Sequence, residues 1–116
     1  MVQGFLNRNS FKTKETIVNE YKAFDSETIT VDATVKLLNL TVGKRKDAKA
    51  IHVYVNSTLV GKALRYTYDG STPSVGVGIA RQDNDEFILS EFSNLEKFRV
   101  TREAVGTTTI FITYLV

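Results

Sequence analysis

The side chains able to do chemistry are few. His52 is the sole histidine of 116 residues and cysteine is absent, which removes disulfide scaffolds, Cys-ligated zinc and thiol catalysis together. His52 sits in the alternating run Ala50-Ile51-His52-Val53-Tyr54 with no serine or carboxylate close by in sequence. A nucleophile and base pair needs such a neighbour, so His52 reads as a structural residue. No catalytic residue and no cofactor are expected.

Three further constellations carry charge or turn chemistry. Asp83-Asn84-Asp85-Glu86 offers oxygen ligands but lacks the spacing and glycine of a calcium-binding EF-hand loop; it reads as a solvated hairpin turn. Lys44-Arg45-Lys46, followed by Asp47 and Lys49, forms a basic turn between two strands. Its plain reading is a solvated loop, and its functional reading is an electrostatic contact with phosphates or with an acidic protein surface. No aromatic side chain is interleaved there, and a formal net charge of +2 concentrates no basic face, so nucleic acid is not nominated as a partner. Val75-Gly76-Val77-Gly78 does not extend to a dinucleotide fingerprint and is expected to permit a bend or bulge. Asn39-Leu40-Thr41 and Asn56-Ser57-Thr58 match the glycosylation triplet. Residues 1–10 hold no apolar run of signal-peptide length, so both triplets are read as chance and the chain as made in the cytoplasm. Nowhere is there a run near the roughly 20 apolar residues of a membrane helix.

The elements that must position these groups are strands. Val, Ile, Thr, Phe and Tyr make up 46 of the 116 residues, the types that fit a pleated and half-buried surface. Turn signals at Gly43, Asp69-Gly70 and Gly106 recur at spacings that suit short antiparallel strands. The expectation is an all-β fold, a single antiparallel β-sandwich of immunoglobulin-like or jelly-roll type. Ile29 and Val31 share one face of a first strand; residues 34–42 are either a bulged strand or a short helical piece. Ile51, Val53 and Val55 line one face of a strand ending in a turn near Asn56 and Ser57. Leu64, Tyr66 and Tyr68 line one face of the next, which reads as core. Residues 86–92 and 97–101 are strands, the second with Phe98 and Val100 inward and Arg99 outward. In residues 107–116, Ile110, Ile112, Tyr114 and Val116 line one face while Phe111 and Leu115 line the other. Such a strand either runs through the middle of a sheet with both faces covered or buries its second face against another chain.

Residues 1–16 follow no steady period and read as an N-terminal arm ahead of a sandwich domain over residues 17–116. Phe5, Leu6 and Phe11 are scattered among polar neighbours. The arm either packs across its own sandwich or docks on a neighbouring subunit by adding a strand to a sheet edge.

Arg65-Tyr66-Thr67-Tyr68-Asp69-Gly70-Ser71-Thr72-Pro73 is the most distinctive local signal, because Asp-Gly supplies the positive φ of a tight turn and Pro73 takes the chain out of the strand. This run, with Gly78-Ile79, Phe87-Ile88-Leu89, Leu95, Phe98-Arg99-Val100 and Thr109-Ile110-Phe111-Ile112-Thr113-Tyr114, resembles small virion proteins of tailed bacteriophages. The likeness spans about the last half of the chain. It implies a β-sandwich without enzymatic activity, attached to the capsid or head–tail region. The Asp-Gly turn also looks like one in immunoglobulin-like accessory domains of secreted glycosidases.

Two functions follow as expectations. The first is a capsid-decorating or cementing protein of a phage virion, whose partners are the major capsid protein or further copies of itself. Its contact residues are expected to be Phe5, Leu6 and Phe11 in the arm, Lys44, Arg45 and Lys46 in the basic loop, and Phe111 and Leu115 for self-association. The second is a carbohydrate-binding module on a phage tail or a secreted enzyme, which needs exposed aromatic platforms; Tyr54, Tyr66, Tyr68 and Tyr114 are available, but alternation places Tyr66 and Tyr68 with Leu64 as core, and there is no tryptophan.

Overall fold

A computed structural model describes residues 21–116; the expectations for Phe5, Leu6 and Phe11 fall outside the described residues. Period-2 sequence patterns become seven strands: β1 (Ala23–Val31), β2 (Ala50–Ser57), β3 (Lys62–Thr67), β4 (Ile79–Gln82), β5 (Glu86–Ser90), β6 (Arg99–Arg102) and β7 (Thr108–Leu115). They form two antiparallel sheets, one ordered β1-β7-β2-β5 and the other β4-β3-β6. The alternating residues meet between them. Ile29 and Val31, Ile51, Val53 and Val55, and Ile110, Ile112 and Tyr114 from the larger sheet close on Leu64, Tyr66, Phe98 and Val100 from the smaller. At about 25 cal/mol per Å² of apolar surface removed from water, this layer is the main source of stability.

The connectivity decides between the two sandwich types. In an immunoglobulin sandwich the first two strands are neighbours in one sheet; here β7 stands between β1 and β2. The antiparallel partners are nested instead. β3 pairs with β4, β2 with β5, and β1 with β7, while Lys36 exchanges backbone bonds of 2.8 and 3.0 Å with Val100 of β6. That nesting is a hairpin wrapped around itself, a jelly roll. Its second strand is reduced to a single bridge.

Sequence chemistry explains that reduction. Of the two readings of residues 34–42, neither a regular strand nor a helix forms. Asp32 accepts the amide of Thr34 at 2.9 Å, and Asn39 accepts the amide and hydroxyl of Thr41 at 3.4 and 3.0 Å. These side-chain turns compete with the ladder on both sides of Lys36.

Other boundaries also move. β2 continues through Ser57, whose hydroxyl bonds with that of Thr108 at 2.8 Å, so the turn begins after it. The strand expected over 86–92 stops at Ser90, because Glu91 takes a φ of 74°, and one helical turn, α1 (Phe92–Glu96), follows and buries Leu95. The turn at 83–85 is a corner, not a hairpin, since it carries the chain from β4 in one sheet to β5 in the other. Asp83 accepts the Ser57 amide at 2.8 Å and Asp85 accepts the Gln82 amide at 2.9 Å, so these carboxylates fasten the corner.

Candidate functional site

The basic loop separates into two kinds of residue. Lys44 and Lys46 are exposed, whereas Arg45 is buried in a one-turn 3-10 segment, Arg45–Asp47. Its Nε donates to Asp25 at 2.8 Å, one terminal nitrogen to the carbonyl of Ser26 at 2.9 Å, and the other to the carbonyl of Asn39 at 3.1 Å. Glu27 lies 3.5 Å from the guanidinium, whose carbon sits 4.9 Å from the centre of the Tyr114 ring. Burial lowers the guanidinium's pKa, but its bond to Asp25 and the charge of Glu27 more than reverse this and raise it. The Arg45 hydrogen bond, with the Ser26 amide, holds the Asp25 carboxyl below the usual aspartate range. Burial pushes the Tyr114 hydroxyl well up, and its hydrogen bond to Glu27 adds to the rise. Arg45 therefore clamps the 39–48 loop to β1, which corrects the expectation of a partner contact: the side chain is buried and each of its three nitrogens already donates within the fold.

The paired aromatic and aliphatic residues of β7 separate in the same way. Phe111 is 42% exposed and stacks on Tyr54 of β2 with ring centres 6.1 Å apart. Leu115, placed on the same face by alternation, is 1% exposed between Ala23 and Ala50, so it presents no surface to a partner. β7 is an inner strand of its sheet, but its second face is not covered within the fold, since Phe111 stays half in solvent. Around Phe111 the sheet face is polar, with Thr28 beside it on β1 and Glu86 beyond Tyr54 on β5. His52, one pleat away, bonds through Nε2 to Glu86 at 2.8 Å, while Tyr54 donates its hydroxyl to Asn84 at 2.6 Å. No nucleophile meets the imidazole in these bonds.

A cleft that the alternation hid lies at the end of β3. Tyr66 is buried against Phe87, rings 4.5 Å apart and nearly parallel, and near Phe98. Tyr68 continues the pattern in sequence but not in space: β3 ends at Thr67, and Tyr68 is 42% exposed. Gly70, at a φ of 87°, turns the chain, and Thr67 donates its hydroxyl to the carbonyl of Ser71 at 2.6 Å. Asp69 accepts the Ser71 hydroxyl at 2.6 Å and amide at 3.0 Å through one oxygen, and these bonds hold its carboxyl below the usual range. Gly78 forms the opposite wall at a φ of 106°; a Cβ there would lie 2.7 Å from the Tyr66 carbonyl. Comparison with protein-family models, curated proteins and solved structures finds no match. The site must therefore be read from its own chemistry. Among the described residues no group of three or more His, Asp or Glu side chains could hold a metal ion, and no helix is long and apolar enough to cross a membrane.

Proposed function

We propose that this chain is a structural protein of a phage virion, a capsid-decorating or cementing protein that binds the assembled shell or further copies of itself. The observation that carries the reading is Phe111, an aromatic side chain held half in solvent at the middle of a four-stranded sheet and stacked on Tyr54. A contact of this kind gains about 25 cal/mol for each Å² of apolar surface it covers, and repetition over a lattice multiplies a modest gain. The exposed Lys44 and Lys46 remain as electrostatic contacts. Support also comes from the resemblance of the chain's second half to phage virion proteins, and from the jelly-roll connectivity, an architecture that viral capsid domains use.

Copy number in purified particles tests this. A decorating protein is recovered at a stoichiometry comparable with that of the shell subunit, and its Phe111→Glu variant stays folded but is lost from particles. Absence of the wild-type chain from particles overturns the proposal.

A further inference from the structure

The cleft at the end of β3 has a second chemistry that shell attachment does not use. It is an open depression of about 400 Å³, a size within the range of small-ligand sites. At its floor Tyr66 stacks on Phe87 and lies near Phe98, and the Gly78 backbone lies against β3 with no room for a side chain. Its rim offers the half-exposed ring of Tyr68 on one side and Val77 and Ile79, 43% and 41% exposed, on the other. Between them stands Asp69. One of its oxygens is held by Ser71, and the other accepts no hydrogen bond from another described residue. An aromatic plate beside a fixed acceptor suits a ligand with an apolar face and a hydroxylated edge.

The charges nearby choose between the ligands that such a plate can hold. A cation would also favour tyrosine and carboxylate, but the Arg81 guanidinium already lies 6.0 Å from the Tyr66 ring centre and 4.8 Å from that of Phe87. Lys97 further offsets the charge of Asp69. With the Asp69 charge already faced by Lys97 and the Tyr66 ring by Arg81, a cation finds no unbalanced charge here; a neutral polyol needs none. We infer that the Tyr68–Asp69 cleft is a carbohydrate site, in which a neutral pyranose lays its C–H face on Tyr68 and donates a hydroxyl to the open oxygen of Asp69.

The inference is independent of the shell reading and is tested without particles. Amide spectra of the full chain are recorded during titration with D-glucose, D-galactose, D-mannose, L-rhamnose and N-acetyl-D-glucosamine, with choline chloride as the cationic arm. At least one sugar is expected to give saturable shifts confined to Tyr68, Asp69, Ser71 and residues 77–79. Tyr68→Ala should weaken that binding at least about tenfold, the loss of roughly one aromatic contact, and Asp69→Asn should weaken it with the fold intact by thermal melting. No saturable shift with any of the five sugars overturns the inference. So do shifts centred elsewhere, tighter binding of choline than of every sugar, or unchanged sugar binding in both folded variants.

Discussion

Hydrogen bonds hold Asp25, Asp32 and Asp69 ionised, and the first and last of these do opposite things with the charge. Asp25 faces the Arg45 fork, which also engages Ser26 and Asn39 and covers Tyr114, so the ion pair is consumed in closing a loop onto a strand. Asp69 is bonded through one oxygen to Ser71 in its own turn and lines a cleft beside Tyr66 and Tyr68. A lowered carboxyl pKa is thus no guide to function by itself. What separates the two is whether the remaining acceptor capacity is already satisfied within the fold.

The sharpest way to break this comparison is to remove the fork. Arg45→Ala leaves Asp25 and Glu27 without their cation and uncovers Tyr114, and should cost about 3 kcal/mol in urea unfolding, since it removes three hydrogen bonds worth about 1 kcal/mol each. Gly78→Ala tests the other side. Its Cβ would press on the Tyr66 carbonyl in a backbone conformation unfavourable to L-residues, a cost of about 2 kcal/mol, and the cleft amides should shift with it. Gly70→Val, strained only by its positive φ of 87° with open space around it, should cost about 1–2 kcal/mol.

Acid titration refines the contrast further. Asp25, Asp32 and Asp69 all have folded pKa values below the ordinary 3.8. Each contributes stability that is fully present above that value and is lost as the pH falls through the lowered one. Melting temperature should therefore drop below about pH 4 in the wild type, and Asp25→Asn should flatten that drop. The smallest effect expected is from Lys44→Ala or Lys46→Ala, within about 0.5 kcal/mol, since both side chains are exposed. A larger loss in either would mean that the basic loop is held by more than Arg45.

The strands were legible where period 2 and burial agree. Ile51, Val53 and Val55 alternate with half-buried neighbours on β2 and were readable as one inward face. Phe98 and Val100 likewise face the core with Arg99 outward. Arg45 was not legible, because its partner Asp25 lies 20 residues upstream and a basic triplet looks the same whether its middle member is buried or free. Tyr68 misled for a different reason. Alternation with Leu64 and Tyr66 holds only while the backbone stays extended, and the strand ends one residue before it. The Asp69-Gly70-Ser71 turn that frees the ring was the signal that could have found the cleft. The helical turn at Phe92–Glu96 carries a single buried side chain, Leu95, too short a stretch for any period to register.

The nesting of the strands governs when this molecule can fold. β1 and β7 are neighbours, and Glu27 and Tyr114, which bond to each other, are 87 residues apart in the chain. Closing a loop of that length must precede the contacts that reward it. During synthesis the larger sheet therefore lacks the strand that joins β1 to β2 until Thr108–Leu115 has left the ribosome. Until then β1 and β2 have no strand between them, and a nascent chain stalled before Thr108 is a species for chaperones to hold.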